Sequence, residues 1–141
     1  MVRRVIPAEI DRRVREAARH RCGYCLSPQR LVMARLEVEH TIPLAKGGTD
    51  DETNLWLACP ICNGHKSDKT MALDPDTRTT VPLFNPRIDL WSDHFEWNGA
   101  TLLGKTPCGQ VTIEVLAINL PYRITLRAAL IAEGIFPPIA S

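Results

Sequence analysis

Five cysteines, at positions 22, 25, 59, 62 and 108, are the residues of this 141-residue chain whose type and spacing most directly imply chemistry. Four of them form two pairs, Cys22-Gly23-Tyr24-Cys25 and Cys59-Pro60-Ile61-Cys62, with 33 residues between the pairs. A two-residue spacer lets one tight turn aim two sulfurs at a single ion, and two such turns supply the four ligands of a tetrahedral structural zinc site. The interval exceeds the roughly 15–20 residues of the simplest zinc ribbons, so an insert about the size of a hairpin must lie between the two knuckles. A pair of disulfides would instead need an oxidising compartment, and the start, MVRRVIPAEIDRR, lacks the continuous apolar segment of an export signal. A thioredoxin-like redox pair fits less well, because neither pair opens a strand-then-helix unit. Cys108, in Thr106-Pro107-Cys108-Gly109, is left without a partner and reads as a free thiol in a turn. Polar residues gather between and just after the knuckles: Glu39-His40, Asn54 and Asn63-x-x-Lys66.

The elements that must position these residues are legible from local pattern. Pro7-Ala8-Glu9 opens a segment with Ile10, Val14 and Ala17 or Ala18 at helical spacing, which predicts a helix over about 8–20 leading to the first knuckle. Its other face carries Arg12, Arg13, Arg15 and Arg19, equally suited to solvent or to phosphate. Residues 36–40 alternate as a short strand and Leu55 to Ala58 read as the returning one; between them Pro43, Gly47-Gly48 and Asp50-Asp51 break regular structure. A short helix is expected over 63–69. From about Met71 the composition turns linker-like. Trp91, Phe95 and Trp97 then read as core anchors. Strands are expected at 95–97, 101–103 and 110–115, joined by the Asn98-Gly99 and Pro107-Cys108-Gly109 turns. A last helix from Pro121, ended by Gly134, places Ile124, Ala128 and Ile131 on one stripe. The second half shows no cluster of His, Cys or carboxylates that reads as a site, and His20 and His94 read as solvated or structural.

The formal net charge of +1 excludes binding to nucleic acid or anionic membrane through global basicity, so any phosphate contact must be local. The basic excess is modest and lies in residues 1–70, net +3, against net −2 in residues 71–141. No apolar run approaches the ~18 residues needed to cross a bilayer, and the expectation is a soluble, cytoplasmic protein with no membrane partner.

Glu39-His40-x-x-Pro43, Gly47-Gly48-Thr49-Asp50, Asn54-Leu55 and Cys59-x-x-Cys62-Asn63-x-x-Lys66, in this order, resemble the motif of HNH endonucleases in their four-cysteine zinc form. The resemblance covers about residues 18–70. It implies an α+β fold with a ββα-metal core framed by the four cysteines, preceded by the N-terminal helix and followed by short strands and a C-terminal helix. Residues 1–70 would be the nuclease core, and 71–141 an extension packed on it in one unit. It further implies structural zinc on Cys22, Cys25, Cys59 and Cys62, and a catalytic Mg²⁺ or Mn²⁺ on Glu39 and Asn63, which offer the hard oxygens such ions take. His40 would be the general base, imidazole being the side chain that exchanges protons near neutrality. Asn54 would orient the loop carrying His40, or the imidazole itself. Lys66, His65, Arg12 and Arg19 would contact substrate.

The family more often has Asp before the histidine and His at the last motif position; Glu39 therefore adds a methylene and Asn63 is an established variant. The expected activity is metal-dependent hydrolysis of DNA, with RNA open as a substrate, by a monomer or homodimer. The competing reading is a zinc-stabilised nucleic-acid-binding module without catalysis.

Overall fold

The computed structural model describes residues 5–138. The first helix, α1 (Ala8–Ala17), buries Val14, and Ala18 just beyond its end is buried as well. It stops short of the expected residue 20 because Arg19 and His20 turn to positive φ, 57° and 55°. That reversal lets Arg21 bridge to Pro28 and throws residues 22–25 into a knuckle, closed by the Cys22 amide donating to Ser27 O at 3.0 Å. The Gly23 amide donates to Leu57 O at 2.9 Å, which stitches the knuckle to a strand. Only glycine fits there: a Cβ on Gly23 would lie 2.4 Å from the Trp56 ring.

That strand belongs to an antiparallel hairpin, β1 (Glu37–His40) and β2 (Leu55–Ala58), with Glu37 opposite Ala58 and His40 opposite Leu55. β2 runs directly into α2 (Pro60–Lys66), which starts before the expected residue 63. Cys59 is its N-cap, the sulfur accepting the Cys62 amide at 3.4 Å, and Pro60 occupies the first turn, where no amide is needed. The knuckle and the helix start are therefore one structure. Strand, loop, strand, helix is the expected ββα order.

The second half departs from expectation in three places. The linker-like stretch contains a hairpin, β3 (Met71–Leu73) and β4 (Thr80–Pro82). Its turn is organised by buried Asp74, which accepts the Asp76 amide and the Thr77 hydroxyl, so the polar run is turn chemistry rather than a linker. A short helix α3 (Trp91–His94) then leads to the expected hairpin β5 (Phe95–Asn98) and β6 (Thr101–Gly104). Residues 110–115, expected as a strand, lie in α4 (Pro107–Val115). Thr106 caps that helix, its hydroxyl accepting the Gly109 amide at 3.0 Å, and Pro107 sits in its first turn; the cap outweighs the β-branched alternation that follows.

The last helix, α5 (Pro121–Ala132), ends before Gly134 at φ 73°, as expected, but its buried face does not carry the expected stripe. Its buried residues are Arg123 and Arg127; Ile124 and Ile131 are half-buried, and Ala128 is exposed. Arg127 donates to Ala100 O and Asn119 and lies over the Trp97 ring. One hydrophobic cluster runs through both halves, joining Tyr24, Leu36 and Leu57 to Phe84, Phe95, Leu102 and Leu116. Phe95 is fully buried, while Trp91 and Trp97 pack half-buried against the cluster. No helix among the described residues is long and apolar enough to cross a membrane.

Candidate active site

The four paired cysteines meet. Their sulfurs all lie within 4.8 Å of one another and all four residues are buried. A tetrahedron of bonds near 2.3 Å sets sulfurs about 3.8 Å apart, and Cys25 Sγ and Cys59 Sγ stand at 3.8 Å. None of the four is in a disulfide. The cluster fits a zinc ion. Arg123, 61 residues further along the chain than Cys62, brings Nη2 to 3.3 Å from Cys62 Sγ while Nη1 donates to Leu116 O and Ala117 O. Burial works against the charge on Arg123, but the cysteine sulfurs outweigh it and hold the guanidinium well above its ordinary pKa. This arginine offsets the negative charge that four thiolates concentrate, and no local signal in the sequence announces it.

Neighbours in a strand diverge, so consecutive residues of β1 face different surroundings. His40 turns to the loop over 41–50, where its Nε2 lies 2.7 Å from Asp50 Oδ1. Asn54, only 8% exposed, closes that loop with both ends of its amide. Its Oδ1 accepts the Thr41 hydroxyl and the Ile42 amide, and its Nδ2 donates to Ile42 O and Thr49 O. The strands of the loop pass so close at Gly48 that a Cβ would fall 1.7 Å from Ile42 O. The Asn54 clasp thus sets Asp50 against His40. Asp50 closes the Gly-Gly-Thr-Asp block of the sequence, and nothing in that block announces His40 as its partner.

Glu39 turns the other way, toward α2. It is 4% exposed and accepts a hydrogen bond from the Tyr24 hydroxyl. Lys66 Nζ lies 3.6 Å from Glu39 Oε2 and donates to Thr41 O at 3.2 Å. Burial pushes the Glu39 carboxyl above its ordinary pKa, against the opposing pull of Lys66 and Tyr24. Burial and then the Glu39 charge push the Tyr24 phenol up, which keeps it a donor. Lys66, expected at phosphate, is 2% exposed, and its charge is directed inward at the end of β1.

Asn63, expected beside Glu39, donates from Nδ2 to Glu37 Oε1 at 2.8 Å instead. Glu37 and Glu39 share a face of β1 two residues apart, and the alternation of Glu37-Val38-Glu39-His40 was the signal that two carboxylates, not one, stand there. His65 is exposed on α2. Arg12 is ion-paired with Glu9 and Glu16 on its own helix, and Arg13 with Glu52, so much of the arginine face is neutralised by carboxylates. Arg19 is exposed just past the helix end.

A hairpin and helix carry a histidine, an asparagine clasp and carboxylates, framed by four cysteines. Residues 22–69 match the HNH endonuclease family. Septu protein PtuB from Bacillus thuringiensis is 28% identical over 118 residues, 82% of this chain and 43% of that protein. The chain therefore spans less than half the length of this curated relative. No solved structure matches the chain.

The same segment offers oxygen donors of the kind a hard divalent cation takes. Glu39 Oε2 is buried and receives no hydrogen bond, and the amide of Asn63 stands on the same side of β1. Carboxylate and amide oxygens are the donors that Mg²⁺ and Mn²⁺ take.

Proposed function

We propose that the protein is a metal-dependent endonuclease that hydrolyses DNA phosphodiester bonds, with His40 as general base. The reading rests on the His40–Asp50 pair at 2.7 Å, held by the loop that Asn54 clasps. With Nε2–H given to the Asp50 carboxylate, the lone pair that can take a proton from water is on Nδ1. Asp50 then plays the part of the group that fixes tautomer and ring orientation. Asn54 is a positioning residue, acting on His40 through the backbone of the loop. Glu39 and Asn63 would hold one Mg²⁺ or Mn²⁺, which when bound supplies charge to the phosphorane-like transition state and the leaving 3′ oxygen. Glu37, which accepts from Asn63 Nδ2 and so leaves Oδ1 available, is the alternative carboxylate. The four cysteines would hold structural zinc.

The competing reading, a zinc-stabilised nucleic-acid-binding module without catalysis, draws support from Lys66, whose ammonium already neutralises Glu39. Incubation with supercoiled plasmid separates the two. Relaxed or linear product in Mg²⁺ or Mn²⁺, lost with EDTA and lost in His40→Ala while DNA retention persists, is the expected result. Binding without product under every metal condition would establish the module instead.

A further inference from the structure

We propose that Asp89, His94 and Cys108 form a second metal site, which takes a borderline-soft divalent cation of the Zn²⁺ or Co²⁺ class. One donor atom from each residue lies within 4.8 Å of the other two, and all three residues are half-buried. They lie outside residues 22–69, the HNH segment. The two histidine and cysteine positions flank the β5–β6 hairpin: His94 enters it and Cys108 follows it, so the hairpin closes a 14-residue separation into contact distance. This is why the spacing shows no motif, and why Cys108, apparently unpartnered in sequence, stands beside an imidazole and a carboxylate.

The donor set selects the ion. Oxygen, nitrogen and sulfur together suit Zn²⁺ or Co²⁺, whereas Mg²⁺ and Ca²⁺ take oxygen alone. Three protein donors leave a fourth position for water or an added ligand, the pattern of an exchangeable site rather than a closed one. Asp89 and His94 each have a second partner, and the helix turn that carries Cys108 is seated by close packing. Asp89 Oδ2 accepts the Asn85 amide at 2.9 Å. His94 Nδ1 is 2.7 Å from the Thr106 hydroxyl, the same group that caps α4 by accepting the Gly109 amide. The imidazole stands edge-on to Phe84 at 5.7 Å. Gly109 lets the first turn of α4, which carries Cys108, seat against the His94 backbone; a Cβ there would lie 2.2 Å from His94 O. Outer partners that fix ring and helix in this way are what metal ligands require.

Binding would displace the Cys108 thiol proton to solvent and leave a sulfur–metal bond. Trp91, in the same short helix as His94, donates from Nε1 to Tyr24 O in the first knuckle at 2.9 Å. An ion on His94 and Cys108 would therefore brace α3 and α4 against the segment that carries the four-cysteine cluster.

The test titrates Co²⁺ into the full chain already loaded with zinc, with zinc content followed by elemental analysis. The expected result is one further equivalent of metal, a near-ultraviolet sulfur-to-cobalt band and no loss of zinc. Cys108→Ser should remove the band, and His94→Gln should weaken cobalt binding at least about tenfold. A band of equal strength in Cys108→Ser, or no band at millimolar cobalt, overturns the site. Should the variants fail to fold, wild-type protein suffices: Zn²⁺ should slow alkylation of Cys108 by iodoacetamide, mapped by peptide mass. An alkylation rate unchanged by Zn²⁺ would equally overturn it.

Discussion

The four-cysteine cluster and the Asp89–His94–Cys108 cluster gather metal-ligating side chains in opposite ways. The first is closed: every thiol is buried, four like donors converge, and a buried arginine from α5 answers their charge. The second is half-buried, mixes three donor types, and offers three donors where the first offers four. The same contrast recurs within β1, where Glu39 is enclosed by Tyr24 and Lys66 while Glu37, two residues away, is exposed and meets Asn63. For the two donor clusters, burial separates one enclosed by the fold from one that solvent can reach. A closed cluster should fail globally when broken, and an open one locally.

The largest effect is expected at the closed cluster. Cys59→Ala removes a zinc ligand and the N-cap of α2 together, and because structural zinc contributes on the order of 10 kcal/mol to folding, the variant should lose both zinc and the cooperative melt. A normal melt without zinc would show that the cluster does not hold the fold. Next comes His40→Ala, for which cleavage should fall about 10²–10⁴-fold while zinc content and melting temperature stay near wild type. A parallel loss of stability would mean that the His40–Asp50 pair serves the fold rather than the chemistry.

Arg123→Met should cost roughly 3–5 kcal/mol in urea unfolding, since it strands buried thiolate charge, although the residue lies far from the knuckles in sequence. An unchanged unfolding midpoint would remove Arg123 from the zinc frame. Smaller, and pH-dependent, is Glu39→Gln. The folded carboxyl has a raised pKa, so the native state binds a proton more readily than the unfolded chain. Its contribution to stability is present below the ordinary carboxylate value and is lost as pH rises through the raised one. Wild type should therefore lose stability relative to Glu39→Gln as pH increases across that window, measured by unfolding at matched zinc loading. In the cleavage assay Glu39→Gln should raise the Mg²⁺ requirement more than Glu37→Gln; the reverse order would transfer the ligand role to Glu37. The smallest effect is expected for Arg12→Ala, whose charge is already paired with Glu9 and Glu16. Its cleavage rate should stay within about twofold of wild type, and a larger fall would return the α1 face to the substrate.

Short-range chemistry is written in neighbouring residues. Cys-x-x-Cys spacing marks a turn, so the two knuckles and their convergence were legible without coordinates. Alternation marked β1 and β2, the Asn98-Gly99 turn marked the β5–β6 hairpin, and Gly134 marked the end of α5. The motif order from Glu39 to Lys66 likewise located the HNH segment, because its residues lie on consecutive elements. Which partner each polar group takes depends on elements that meet from distant parts of the chain. Asn63 meets Glu37, Lys66 turns inward to Glu39, and Asp50 reaches His40 because a clasped loop and a helix register set those distances. A cap overrode β-branched alternation to make α4 a helix, and two arginines occupy the buried face of α5 because a thiolate cluster, backbone carbonyls and a tryptophan ring await them. Asp89, His94 and Cys108 meet only once a hairpin folds between them. Local torsion and periodicity are written in neighbouring residues, whereas charge, burial and ligand geometry depend on groups tens of positions apart.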